Sequence, residues 1–264
     1  MNKNTTGYDN TSVGYNSLNA NTTGYENVAV GSLSLQSNTT GFYNTAIGNK
    51  SLTSNTTGQD NTALGLLALA SNTTGNSNTG IGNGALRSNT IGYQSIAIGQ
   101  GALYSNTTAN KNNAIGFESL NKNTSGADNV ALGHSTLYTN STGSQNVAIG
   151  NEALGKSTTS NKIVAVGFKA LSKQTASYGN TAVGGNSMEN TTTGWHNTAI
   201  GDNSLIGNTT GADNVAIGSN ALVSQTTVDA TTAVGSFSLN ANTTGVYNTA
   251  IGYTTLEKNT TGSS

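Results

Sequence analysis

The sequence predicts an all-β fold: a parallel β-solenoid or β-roll of about 15 coils built on a 17-residue repeat. Three observations predict it. Glycine recurs at one fixed interval, at Gly14, Gly31, Gly48, Gly65, Gly82, Gly99, Gly116, Gly133, Gly150, Gly167, Gly184, Gly201, Gly218, Gly235 and Gly252, with no insertion or deletion. The residue before each of these is Val, Ile or Leu, and the residue four after it is Leu in every copy except Met188. A helical unit is excluded, because each copy carries glycines, Asn and Thr and has no apolar spacing of three and four.

The unit reads Asn-Thr-Thr-Gly-x-x-Asn-Thr-Ala-Ile-Gly-x-x-Ser/Ala-Leu-x-x, with its first copy running from Asn4 to Ala20. The opening Asn-Thr-Thr-Gly suits a tight turn that carries the chain from one coil to the next. Thr45-Ala46-Ile47 is then expected as a short strand, with Thr45 and Ile47 on one face and Ala46 on the other. Gly48 follows as a turn residue because glycine accepts positive φ. A second short strand is expected around Ser51-Leu52-Thr53. The Ile and Leu rows are expected to stack as a core ladder, as in Ile47 with Leu52, Leu64 with Leu69, Ile98 with Leu103, Ile149 with Leu154 and Ile200 with Leu205.

Stacking is a requirement of the energetics. The few apolar side chains of one unit do not offset an ordering entropy of roughly 1–2 kcal/mol per residue. Each coil must therefore pair its backbone with the coils above and below, and at a strand spacing of about 4.8 Å the whole would form a rod of roughly 70 Å. The turn is least regular from Lys156 to Asn180, yet the Ile and Leu rows continue through it. Residues 1–264 are accordingly expected to form a single repeat domain without an internal boundary.

The Ala slot bears on assembly. If Ile points into the coil, an outward face held small suits close approach by another chain. In the opposite orientation Ala lies inside and the Thr/Val-plus-Ile face is left for a partner. Both orientations place one face of the strand between subunits, whereas on a plainer reading Ala merely fits a flat coil.

Composition narrows the function classes. The formal net charge is −1 and only 8% of residues are charged, so there is no basic footprint for nucleic acid and no polybasic membrane patch. Cysteine is absent, which excludes disulfides and thiolate metal sites. No apolar run is long enough to span a bilayer, so no membrane insertion is expected in this segment. No apolar signal region follows Met1, so the chain reads as a fragment or as one that reaches its location without a classical signal.

The stretch Asn146-Val147-Ala148-Ile149-Gly150, like Asn44 to Ser51, resembles the head repeat of YadA-like trimeric autotransporter adhesins, whose core is Ser-Val-Ala-Ile-Gly-x-x-Ser/Ala. The fuller unit also resembles repeats of phage tail-fibre proteins. The resemblance covers essentially the whole chain. It implies a left-handed parallel β-roll, assembled as a homotrimer and displaying an adhesive surface. The unit here is longer than the head repeat by an Asn-Thr-Thr segment, and no stalk coiled coil, membrane anchor or chaperone domain is present in this sequence.

Catalytic and ligand patterns are sparse. His134 and His196 occupy different slots of the unit, and Asp9, Asp60, Asp128 and Asp213 share a slot that other copies fill with unrelated residues. A calcium roll needs a repeated glycine-aspartate pattern, and the glycines here lack the Lys-Ser/Thr of a phosphate loop. No catalytic, cofactor-binding or metal-binding residue is therefore expected, and the protein reads as a non-enzyme without cofactors.

Aromatic residues gather in the variable turn, at Tyr8, Tyr25, Phe42, Tyr93, Tyr178 and Trp195, with Tyr43 and Tyr247 beside them. They are expected either as surface contacts for a glycan or receptor, or as turn packing. The Thr rows that begin at Thr5 and Thr6 raise an ice-binding alternative, set against the ordinary fit of Thr to strands and turns. Asn4, Asn21, Asn38, Asn55, Asn72, Asn106, Asn208 and Asn242 each head an Asn-Thr-Thr sequon, which makes glycosylation an expectation for an extracellular chain. The leading expectation is a structural rod of an extracellular fibre, at a cell surface or on a virion, with a homo-oligomer as its working form. Lengthwise self-assembly into a filament is the alternative.

Overall fold

A computed structural model describes residues 3–263. Its contacts fall into two units, Met1–Asn129 and Val130–Ser264. The first carries β1 (Thr11–Val13), β2 (Val28–Val30), β3 (Thr45–Ile47), β4 (Thr62–Leu64), β5 (Thr79–Ile81), β6 (Ile96–Ile98) and β7 (Asn113–Ile115). The second carries β8 (Val130–Leu132), β9 (Val147–Ile149), β10 (Val164–Val166), β11 (Thr181–Val183), β12 (Thr198–Ile200), β13 (Val215–Ile217), β14 (Thr232–Val234) and β15 (Thr249–Ile251).

Within each unit every strand pairs in parallel with the next. The register sets like residue over like, as in Thr45 with Thr62, Ala46 with Ala63 and Ile47 with Leu64, or Thr198 with Val215, Ala199 with Ala216 and Ile200 with Ile217. The fold is an all-β parallel β-solenoid with one strand per 17-residue coil.

The inter-coil bonding extends far beyond the strands. In the third coil, Thr39 N donates to Thr56 O at 2.9 Å, Thr45 N to Asn61 O at 2.8 Å, Leu52 N to Ala68 O at 3.0 Å and Ser54 N to Ala70 O at 3.1 Å. In the other direction Gly48 N donates to Val30 O at 2.8 Å and Lys50 N to Ser32 O at 3.0 Å. Turns are thus stitched to neighbouring coils as strands are, which satisfies backbone groups that a short coil cannot satisfy alone.

The second expected strand does not form. Ser51-Leu52-Thr53 lies in a turn, and Leu52 has φ +47°. The same left-handed backbone recurs at that slot in every coil from Leu18 to Leu256, with φ between 46° and 53°. A non-glycine residue there costs about 1–2 kcal/mol. Full burial of a leucine side chain contributes about 1.5–3 kcal/mol, so burial offsets the strain.

The strand's orientation also differs from the expected ladder. Leu52, Leu69, Leu103, Leu154 and Leu205 are fully buried, whereas Ile47, Leu64, Ile98 and Ile200 are exposed and Ile149 is half-buried. Ala46, Ala63, Ala97, Ala148 and Ala199 point inward and are fully buried. The reason is space. At Gly80, the one glycine in this slot, an added Cβ would lie 3.2 Å from Ala85 O and 3.3 Å from Leu69 Cγ. The turn leucine fills the coil interior, a methyl group is all the strand can add, and the β-branched side chains must face out.

Two asparagine ladders run through the interior. In the first, Asn38 Nδ2 donates to Asn21 Oδ1 and Asn55 Nδ2 to Asn38 Oδ1, each at 2.9 Å. In the second, Asn44 offers both its backbone N and its Nδ2 to Asn27 Oδ1 at 3.1 Å. The ladders meet at one carbonyl: Gly41 O accepts from Asn38 Nδ2 and from Asn27 Nδ2, both at 2.9 Å.

Candidate interaction surfaces

Because alanine turns inward, the outer face of each strand presents two columns. One holds Thr or Val with Ile96 and Asn113 as exceptions, and the other holds only Val, Ile and Leu. Neither column contains an Asp, Glu, Lys or Arg. Ile47 is 38% exposed, Ile115 40%, Leu132 44% and Ile200 40%. Contiguous apolar exposure of this kind marks an interaction surface more often than open solvent. The sequence allowed this orientation as one of two, and the volume of the turn leucine decides between them.

Seven of the eight sequon asparagines are closed to a glycan in the folded chain. Asn21, Asn38, Asn55, Asn72, Asn106, Asn208 and Asn242 are fully buried. Their Nδ2 atoms are used inside, as in Asn72 to Gly75 O at 3.0 Å and Asn208 to Gly211 O at 3.0 Å. A glycan on Nδ2 would have to occupy the coil interior. Asn4 is exposed, and its Nδ2 donates to Gly7 O at 2.8 Å. The sequon pattern is a by-product of the ladder asparagine preceding the threonine row.

That threonine row is also engaged. Thr22 Oγ1 donates to Thr39 O at 3.0 Å, Thr39 Oγ1 to Thr56 O at 3.0 Å and Thr56 Oγ1 to Thr73 O at 3.1 Å. The hydroxyl hydrogens serve the next coil's backbone rather than an ordered external water layer. The adjacent row, including Thr23 and Thr40, is exposed.

Six of the eight turn aromatics fall into two groups. Tyr8, Tyr25 and Phe42 stack on one another, with centroids 5.0 and 4.8 Å apart and ring planes within 7°. Tyr43 meets Tyr25 and Phe42 edge-on. Facing ring surfaces are consumed by this stack, so its interior offers edges rather than platforms. The Tyr43 phenol titrates above its usual range, chiefly because of the Glu26 carboxylate and then through partial desolvation. Tyr93 is exposed, and its backbone N donates to Asn110 Oδ1 at 2.9 Å.

The second group lies in the other unit. Tyr178 meets the His196 imidazole at 5.8 Å, and Trp195 meets the same ring edge-on at 4.7 Å. His196 Nδ1 lies 3.6 Å from Asp213 Oδ1, and Lys162 Nζ donates to Tyr178 Oη at 2.8 Å. The sequence placed Tyr178 and Trp195 among the turn aromatics without joining them to His196 and Asp213. The signal was present, since Tyr178 and Trp195 share one slot and His196 and Asp213 the next, each pair 17 residues apart. Among the described residues, no group of three or more His, Asp or Glu side chains is placed to hold a metal ion. No helix among them is long and apolar enough to cross a membrane.

Comparison with known proteins gives no family model, no curated protein and no solved structure that matches this chain.

Proposed function

We propose that this chain is a non-enzymatic structural module of an extracellular fibre, of the surface-adhesin or tail-fibre kind that its repeat resembles. In this reading copies of the chain associate, as a homotrimer, through the outward faces of the strands. The observation that carries the reading is the pair of uncharged columns, one of them Val, Ile or Leu in every coil. A second copy is the fitting occupant because its columns repeat at the same strand spacing, so every contact made at one coil recurs at the next. Burial of each exposed Ile or Leu adds at about 25 cal/mol per Å² of apolar surface, and the repeat sums that small term. The variable turn residues then remain on the outside for attachment.

The test is to replace Ile98 and Ile115 together by Lys and compare sedimentation velocity with the parent chain. The expected result is that the parent sediments as an oligomer and the double variant as a folded monomer. Equal sedimentation of the two would remove the outward face from the assembly.

A further inference from the structure

We propose that a shallow groove beside Gly101 is a binding subsite for a neutral hexopyranose. Gly84 and Gly101 fall two positions after the strand-ending glycine, at φ +66° and +68°. Every other copy carries a side chain there at positive φ, as at Lys50, Leu67, Glu118 and Asn186. The next coil fills the two vacated positions, with Tyr104 over Gly84 and with Asn121 and Glu118 over Gly101, and beside them lies a groove of about 300 Å³ lined by Asn83, Gln100, Gly101, Tyr104, Glu118 and Asn121. That volume matches the small end of the range for small-molecule sites, roughly 300–1,000 Å³.

The walls are held in place. The Tyr104 ring lies over Gly84, where an added Cβ would meet its Cδ2 and Cε2 at 3.2 Å. Arg87 sits over the same ring, 5.3 Å from its centroid, and donates to Tyr104 Oη. Asn121 Nδ2 donates to Gly101 O at 2.9 Å, a bond repeated at Asn240 to Asn220 O. Asn83, Gln100 and Glu118 line the groove, the first two exposed and the third half-buried.

This set of groups selects a sugar. Each ring hydroxyl both donates and accepts, and the groove offers amides that do both beside a carboxylate that only accepts. Tyr104 supplies an apolar surface for the C–H face of a pyranose. The Glu118 carboxylate disfavours an acidic sugar, and the nearby Arg87 is already engaged with Tyr104. The inference does not depend on whether copies of the chain associate.

The test uses saturation-transfer NMR on the full chain with the methyl glycosides of glucose, galactose, mannose, N-acetylglucosamine and glucuronic acid. Gln100→Ala, at an exposed side chain of the groove, is the first variant. At least one neutral glycoside should give transfer with the parent chain, and Gln100→Ala should weaken it by about tenfold or more at an unchanged melting temperature. Glu118→Ala, a surface change, should also weaken it and keeps the test decisive if the first variant folds poorly. The proposal is overturned if no neutral glycoside responds at about 10 mM, if the variants bind as the parent does, or if only the glucuronide responds.

Discussion

At Gly201 two constraints coincide. Its φ is +136°, and an added Cβ would fall 2.6 Å from the carbonyl carbon and oxygen of Gly218 in the next coil. Glycine in this slot therefore serves backbone conformation and coil-to-coil approach together, which accounts for its presence in all the copies. Gly201→Ala should lower stability by about 2 kcal/mol or more, read as a drop in the thermal midpoint. The glycine row was legible because a backbone requirement admits one residue type. The left-handed leucines were not, because leucine ordinarily avoids that conformation and only burial in this particular coil overrides the preference. The ladder asparagines were half legible. Their spacing was plain, but Asn-Thr-Thr on its own reads equally as a turn, a sequon or a ladder. Only the bonds from Asn38 Nδ2 to Asn21 Oδ1 and Gly41 O decide for the ladder.

At the scale of the coil, the outcome turns on which side chain fills the centre. The pattern Thr-Ala-Ile-Gly-x-x-Ser-Leu contains two large apolar residues, and alternation alone does not say which of them is inside. The turn leucine takes the interior, leaving alanine as its inward neighbour and isoleucine outside. Leu103→Ala and Ile98→Ala separate the two roles. The first should cost about 2–5 kcal/mol of folding stability through loss of a fully buried side chain and the cavity left behind. The second should change the stability of the isolated folded chain little and should act on association instead. Equal losses in the thermal midpoint of dilute, dissociated protein would contradict the assignment. One strand per coil, rather than two, follows from the same packing, since the leucine reaches the centre from a turn and not from a pleated segment.

At the scale of the molecule, a 17-residue register kept through every copy implies that each coil is stabilised mainly by its neighbours, because a single coil buries one leucine and its flanking alanines. The fold class was legible from that register. The candidate surfaces were legible only in part, since contacts between neighbouring coils, such as those of His196 with Tyr178 and with Asp213, appear once the coils are stacked. With a formal net charge of −1 and 8% charged residues, little electrostatic repulsion opposes contact between copies. In the proposed assembly the outward Val, Ile and Leu columns supply the attraction. The absolute mass of the purified chain in dilute solution, by light scattering after size exclusion, tests this most directly. Association as proposed gives three times the 26.6 kDa chain mass. A mass of one chain would contradict the account, and a mass running far beyond three would replace the trimer with a filament.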